Sequence, residues 1–174
     1  SFSLYPAEVL VITGLVGAGR SELLETVFGY RQQEACTVYL DGESVNNKNP
    51  GVMMSKGLAI VPEGRKINGI FPQLSVYDNM RISSLGRYKK AGILNNAAIR
   101  RDVNRQVDAM NIKTPSVCQK IKYLSGGNQQ KVILGRCMMC TPKVLIMDEP
   151  TNGIDIGAKQ EIYKIINVLS QNGM

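Results

Sequence analysis

The chain has 174 residues, of which 44% are apolar and 20% are charged, a balance typical of one globular domain. Its net charge is +7, but the cations are scattered and only 6% of residues are aromatic, so no nucleic-acid partner is expected. Histidine is absent, which excludes histidine acid–base catalysis and histidine–zinc sites. The sequence shows neither a membrane-spanning apolar run nor a secretion signal, so we expect a cytoplasmic protein.

The first third of the chain predicts alternating strands and helices. Apolar β-branched runs predict buried strands at Glu8–Thr13 and Leu58–Val61, with a helix at Ser21–Phe28 between them. Thr37–Leu40, followed by the turn residues Asp41-Gly42, predicts an edge strand or half of a hairpin. This alternation is typical of an α/β fold with a mainly parallel sheet.

The middle of the chain predicts helices instead of strands. Ser75–Leu85 is expected to be a short helix capped by Ser75, and Ala97–Ile112 carries an amphipathic stripe. The strand pattern returns at Val144–Met147, and Ala158–Ser170 predicts a last amphipathic helix.

This order of elements predicts how the domain is organised. We expect residues 1–73 and 142–174 to form an α/β core, with a helical subdomain inserted at about 74–123. A further helix completes the segment 74–141. The chain begins without methionine and ends directly after the last predicted helix, so we expect a piece of a longer protein that lacks its C-terminal part.

Two of the four cysteines form a C-x-x-C pair, Cys137 and Cys140, inside a predicted helix. One such pair cannot close a four-ligand zinc site, and no second pair exists. Core packing is therefore the favoured interpretation, and a redox or metal role is the alternative.

A glycine-rich segment, G-L-V-G-A-G-R-S at Gly14–Ser21, lies between a predicted strand and a predicted helix. It matches the phosphate-binding pattern G-x-x-x-x-G-K-[ST], except that Arg20 replaces the lysine. Backbone N–H groups of such a loop close around phosphate oxygens, and the hydroxyl of Ser21 would bind Mg²⁺. The alternative is a plain glycine turn. The candidate nucleotide-binding residues are Gly14, Gly17, Ala18, Gly19, Arg20, Ser21 and Glu22.

Two acidic residues, Asp148 and Glu149, follow the predicted strand at Val144–Met147. Ligands of open α/β sheets bind at such strand ends. Asp148 would hold Mg²⁺, and Glu149 would polarise an attacking water. The alternative is an acidic turn, because Pro150 follows.

A third segment, L-S-G-G-N-Q-Q-K at Leu124–Lys131, lies at a predicted helix start. The unpaired N–H groups of that helix and the hydroxyl of Ser125 would form an anion receptor. The alternative is an ordinary serine-capped helix.

These three segments, in this order, resemble the nucleotide-binding domain of ABC transporters, which has a P-loop NTPase-type core. Gly14–Ser21 resembles the Walker A loop, Leu124–Lys131 the signature loop, and Val144–Glu149 the Walker B motif. D-E-P-T followed by G-I-D resembles the D-loop. Together with V-P-E-G-R-K, these variants resemble the sugar-importer ATPases of the ribose, galactoside and xylose group, and among their two nucleotide-binding halves the second, C-terminal one.

The resemblance implies an ATPase that binds ATP and Mg²⁺ and couples hydrolysis to monosaccharide uptake. Its implied partners are a second ATP-binding domain, a membrane permease and, indirectly, a sugar-binding protein, and its implied place is the cytoplasmic face of the cell membrane. Glu149 and Asp148 would be catalytic, and Ser21, Asp148 and Glu63 would hold the metal. Further nucleotide contacts are implied for Ser125, Gly126, Gly127, Asn128 and Asp155.

The sequence departs from the family pattern at three positions. Arg20 keeps the charge of the usual lysine, but its forked guanidinium is bulkier. Glu63 stands where the Q-loop glutamine is usual, and Asn128 replaces the usual glutamine of the signature loop. An alternative hypothesis is therefore a degenerate regulatory domain that binds nucleotide without hydrolysing it. Two further alternatives are a soluble ABC ATPase of DNA repair or translation, and an unrelated α/β protein.

Overall fold

A computed structural model describes residues 1–15, 17–31, 36–45 and 49–174. Within these residues the chain forms six α-helices: α1 Arg20–Phe28, α2 Pro50–Ser55, α3 Val76–Arg81, α4 Asn96–Ala109, α5 Gly126–Met138 and α6 Ile156–Gln171. The strands described are β1 Tyr39–Leu40, β2 Glu43–Ser44, β3 Leu58–Val61, β4 Lys89–Lys90, β5 Ile93–Leu94 and β6 Val144–Met147. A π-helical turn spans Arg65–Gly69, and 3₁₀ turns span Leu85–Tyr88 and Ile121–Tyr123.

The centre of the fold is a parallel pair of strands, β3 and β6. Their register runs from Leu58 opposite Val144 to Val61 opposite Met147, and the N–H of Asp148 continues it by donating to the carbonyl of Val61 at 2.9 Å. Both strands were predicted from their apolar runs, and both predictions are confirmed. Because the strands are parallel, the residues that follow them emerge at the same edge.

One predicted strand is wrong: Glu8–Thr13 forms no strand. Its side chains are largely exposed, with Val11 at 73%, and no described strand pairs with it. Apolar β-branched residues favour a strand only where a neighbouring strand accepts and donates the ladder hydrogen bonds.

The prediction at Thr37–Leu40 is confirmed as a short hairpin. β1 and β2 pair antiparallel, with Tyr39 opposite Ser44. The turn residues Asp41 and Gly42 both have positive φ, at 52° and 82°, which suits a two-residue hairpin turn.

The predicted helices form with small shifts at their ends. Ser75 caps α3 as expected, since its Oγ accepts from the N–H of Asp78 at 3.0 Å, but α3 ends at Arg81 rather than Leu85. The apolar stripe of α4 is buried at Ile99 and Val103. Helix α2 and the β4–β5 hairpin were not predicted.

Helix α5 is almost wholly buried and packs against β3, α3, α4 and α6. Its apolar residues Val132, Ile133 and Leu134 belong to the main core. On the other face of the sheet a smaller core joins Phe28 of α1 and Met53 of α2 to the strands. Helix α5 thus connects the α/β layer to the helices α3 and α4, while the domain boundaries given above stay predictions.

No helix in the described part of the chain is both long and apolar enough to cross a membrane.

Cys137 lies in the main core, which confirms the packing interpretation for this residue. Burial raises the pKa of its thiol to about 12, and burial also raises the pKa of the Cys140 thiol. Cys118, in contrast, is exposed.

We therefore expect iodoacetamide at pH 8 to modify Cys118 rapidly and to leave Cys137 unmodified in the folded protein. A thiol with a pKa of about 12 is thiolate in roughly one molecule in 10⁴ at that pH, and the core also blocks access. Peptide mapping by mass spectrometry, with a urea-unfolded sample as the control, measures both sites. Fast modification of Cys137 without urea would contradict the buried placement.

Candidate functional site

Residues 17–19 of the glycine-rich segment Gly14–Ser21, which we call the glycine loop, lead directly into α1. Gly17 and Gly19 have φ of 83° and 80°, a backbone region that side chains other than glycine rarely adopt. The N–H of Ala18 donates to the carbonyl of Leu15 at 3.0 Å and closes a turn. The loop therefore depends on glycine for its conformation and presents backbone at its surface.

The N-terminus of α1 has no side-chain cap, in contrast to the other five described α-helices. Side chains cap those helices, in chain order Asn49, Ser75, Asn95, Ser125 and Asp155. Free first-turn N–H groups and the helix dipole together attract an anion. The helix that follows the glycine loop is thus the one whose N–H groups are left for a ligand.

Arg20 joins the glycine loop to the end of β6. Its Nη2 donates to Oε1 of Glu149 at 3.1 Å, and the two side chains are 32% and 39% exposed. A partly exposed pair of this kind adds little to stability, about 1 kcal/mol or less. Its importance is geometric, because it keeps a cation and a carboxylate together beside the loop.

Ser21 joins the same loop to the end of β3. Its Oγ donates to Oε2 of Glu63 at 3.4 Å. Asp148, buried at the end of β6, emerges at the same sheet edge as Glu63 because β3 and β6 are parallel.

These oxygen donors suit Mg²⁺. The described residues contain no cluster of three acidic, cysteine or histidine side chains that could hold a metal alone. Mg²⁺ commonly takes one or two protein oxygens and completes its shell with phosphate oxygens and water, so Ser21, Glu63 and Asp148 fit it in that way.

Glu149 has a strained backbone, with φ of 43°. For a residue other than glycine this conformation costs about 1–2 kcal/mol. Asn152 holds it: its Nδ2 donates to Oε2 of Glu149 at 3.0 Å, and its N–H donates to the carbonyl of Glu149, also at 3.0 Å. Strain retained in this way is typical of functional sites.

The signature-like segment Leu124–Lys131 contributes to the packing of α5, in addition to any role in ligand binding. The Oγ of Ser125 caps α5 by accepting from the N–H of Asn128 at 3.4 Å, and Nδ2 of Asn128 donates to the same oxygen at 2.9 Å. A Cβ added to Gly127 would lie 2.5 Å from Cβ of Ala158, so glycine is what lets α5 approach α6. Asp155 caps α6 by accepting from the N–H of Ala158.

The structure thus brings together the glycine loop, Glu63 and the pair Asp148-Glu149, as the sequence analysis expected. In the described part of the chain, no hydrogen bond or ion pair joins Ser125–Asn128 to this group. The roles given to these residues in nucleotide and metal binding stay predictions.

Sequence reasoning missed two cations that bond across the fold, Lys131 and Arg65. Lys131, only 2% exposed, donates from Nζ to the carbonyl of Asn111 at 2.9 Å and pairs with Glu161 at 2.7 Å. Arg65 bonds to the turn that contains Asn152. The sequence offered one signal for each residue. Lys131 and Arg65 are charged residues within the motifs L-S-G-G-N-Q-Q-K and V-P-E-G-R-K, and the apolar pattern of the helices and strands does not account for them.

The family model described as ABC transporter matches residues 1–152. The chain belongs to the ABC transporter family. The resemblance drawn from its motifs is thereby confirmed.

Curated relatives within this family include the galactose/methyl galactoside import ATP-binding protein of Escherichia coli strain K12. That protein is 45% identical to this chain over 99% of the chain and 34% of its own length. The protein of the same name from Sodalis glossinidius has the same identity and coverage. The chain therefore spans about a third of the length of these relatives, and its match to their second nucleotide-binding half stays a prediction.

Solved structures show the same fold. A nucleotide-free ATP-binding cassette from an ABC transporter matches with a TM-score of 0.84 at 22% identity, over 99% of this chain and 70% of that one. A dimeric ATP-binding cassette in a post-hydrolysis state, bound to ADP and Pi, matches with a TM-score of 0.74 at 20% identity, over 91% and 67%. The expected α/β class with a P-loop NTPase-type core is therefore confirmed.

The close approach at Gly127 gives a test of this ABC cassette's packing. We expect Gly127→Ala to lower the free energy of unfolding by about 1–3 kcal/mol, because the new methyl group would overlap the Cβ of Ala158. Adding Ala158→Gly should restore part of that loss, even though glycine inside a helix costs about 1 kcal/mol.

Urea denaturation of the single and double variants measures both effects. Gly86→Ala is the matched control, since a Cβ at Gly86 would meet nothing within 4 Å. Equal stability of Gly127→Ala and the parent would contradict the α5–α6 contact.

Proposed function

We propose that this chain is the ATP-binding and hydrolysing domain of an ABC importer for a monosaccharide. The observation that carries the proposal is the meeting of three segments at one place. Arg20 of the glycine loop lies 3.1 Å from Glu149, and Ser21 of the same loop lies 3.4 Å from Glu63. Backbone donors, a cation, a hydroxyl and carboxylates are the groups that phosphoryl transfer requires.

The glycine loop would hold the phosphates of ATP. Its backbone N–H groups and the uncapped start of α1 supply donors, and Glu22 lies in that first turn. Arg20 would add a charge-assisted contact in place of the usual lysine. Ser21, Glu63 and Asp148 would hold Mg²⁺, which neutralises phosphate charge when bound.

Glu149 would act as the general base. Asn152 fixes one carboxylate oxygen of Glu149, while the other pairs with Arg20. A phosphate in the loop competes for the guanidinium of Arg20, because it carries more negative charge than a carboxylate. The carboxylate of Glu149 would then be available to accept a proton from water.

The segment Ser125–Asn128 would serve a second ATP-binding domain. The support for this is that no hydrogen bond joins it to the glycine loop in the part of the chain that the structure describes. Ser125 caps its own helix, and Oδ1 of Asn128 accepts from the N–H of Lys113. By likeness to the galactose importers the remaining partners would be a membrane permease and, indirectly, a sugar-binding protein. The domain would then lie at the cytoplasmic face of the membrane.

The regulatory alternative, in which nucleotide binds without hydrolysis, is supported by one observation, the arginine in place of lysine. It is disfavoured because Asp148 and Glu149 are both present and Glu149 reaches the loop.

We expect Glu149→Gln to lower the ATPase rate of the complete transporter about 10²–10⁴-fold while ATP still binds, because an amide cannot take the proton. Steady-state phosphate release and equilibrium titration with MgATP measure the two effects. Glu43→Gln, which changes an exposed carboxylate on β2, is the control and should keep full activity. Equal rates in the Glu149→Gln variant and the parent would favour the regulatory alternative.

We expect Arg20→Ala to weaken MgATP binding about 10- to 150-fold, since a charge-assisted hydrogen bond is worth about 1.5–3 kcal/mol. Arg20→Lys should retain most of the affinity because it keeps the charge. Isothermal titration measures each constant, with Arg101→Gln on the exposed side of α4 as the control. Unchanged affinity in Arg20→Ala would place the phosphates elsewhere.

A further inference from the structure

Arg65 connects three segments that are far apart in the sequence. It begins the π-helical turn, two residues after Glu63. Nη1 donates to the carbonyl of Asn152 and Nη2 to the carbonyl of Gly153, both at 2.9 Å. Nε donates to Oε1 of Gln129 on α5 at 3.4 Å. One half-buried side chain thus ties the segment after β3 to the turn after β6 and to the signature-like helix.

The shape of these contacts is specific to arginine. A guanidinium presents five donors in one plane, so its two terminal nitrogens reach neighbouring carbonyls while Nε reaches a third group. The acceptors are neutral carbonyl and amide oxygens, and no described carboxylate forms an ion pair with Arg65. The side chain therefore acts through fixed geometry and not through a charge pair.

The first glycine of the signature-like segment leaves the space for this guanidinium. A Cβ added to Gly126 would lie 2.6 Å from Nη2 of Arg65. The start of α5 and the side chain of Arg65 consequently fit against each other at one position.

The turn held by Arg65 is also the turn that holds the candidate general base. Asn152 accepts from Arg65 through its carbonyl and donates to Glu149 through both its N–H and its Nδ2. Glu149 is in a left-handed conformation that persists only where its surroundings fix it. We therefore expect that loss of the hydrogen bonds from Arg65 to the carbonyls of this turn would also weaken the bonds from Asn152 to Glu149.

We propose that Arg65 is a positioning residue for ATP hydrolysis: it fixes the Asn152–Gly153 turn, and through it the carboxylate of Glu149, in register with the start of α5. This inference rests on the proposed function, in which Glu149 acts on water. Among the described residues no hydrogen bond or ion pair joins Arg65 to the glycine loop, so we expect its effect on turnover and not on nucleotide affinity.

The first test measures how well the backbone of the turn is protected from exchange, and it does not require ATPase activity. Hydrogen–deuterium exchange of this chain is compared between the parent, Arg65→Gln and Arg65→Lys, with the exposed Arg101→Gln as the matched control for loss of one charge. We expect exchange across residues 149–155 to be about tenfold faster in Arg65→Gln, intermediate in Arg65→Lys and unchanged in the control. Exchange across 149–155 that equals the parent in both Arg65 variants would overturn the proposal.

The second test separates kcat from KM in the complete transporter. Arg65→Gln should lower kcat about tenfold or more and leave the KM for ATP within about twofold, and Arg65→Lys should recover part of kcat. A kcat equal to that of the parent, or a change confined to KM, would overturn the positioning role. If Arg65→Gln does not fold, Arg65→Lys alone decides between the same outcomes.

The two tests also separate this inference from the proposed function. A parent transporter that hydrolyses no ATP would overturn the proposed function and the effect on kcat with it. The exchange measurement would still decide whether Arg65 holds the turn.

Discussion

The parallel ladder between β3 and β6 is the constraint on which the rest of the site depends. The two strands come from distant parts of the chain, and their register places Val61 opposite Met147. Because parallel strands end at the same edge, Glu63 and the pair Asp148-Glu149 emerge together. A shift of one residue in this register would turn the apolar side chains of one strand to the other face and separate the acidic groups from the glycine loop.

Two side chains of the glycine loop pair with carboxylates that follow the parallel strands. Arg20 pairs with Glu149 after β6, and the hydroxyl of Ser21 donates to Glu63 after β3, while the start of α1 has no side-chain cap. These contacts are long or partly exposed and therefore weak. A phosphate can replace them at low cost, which is the property that a site for a highly charged ligand requires.

The signature-like segment Leu124–Lys131 contains residues for helix packing as well as residues proposed to bind a ligand. Gly126 leaves room for the guanidinium of Arg65, and Gly127 lets α5 touch Ala158. Gln129 is buried and donates to the carbonyls of Ile121 and Leu124. The segment is therefore needed for the packing of α5, whatever its Ser125 and N–H groups bind.

The sequence by itself determined the family, the strands β3 and β6, the hairpin turn and the capped starts of helices such as α3, because these depend on local pattern and on residue types at fixed spacing. The tertiary structure alone decided that Glu8–Thr13 forms no strand, since a ladder requires a partner strand that a local apolar pattern does not reveal. It also decided the hydrogen bonds of Arg65, whose partners are separated from it by 64 to 88 positions in the sequence. Side-chain hydrogen bonds of that range depend on how the packed elements approach one another, and no local spacing encodes that approach.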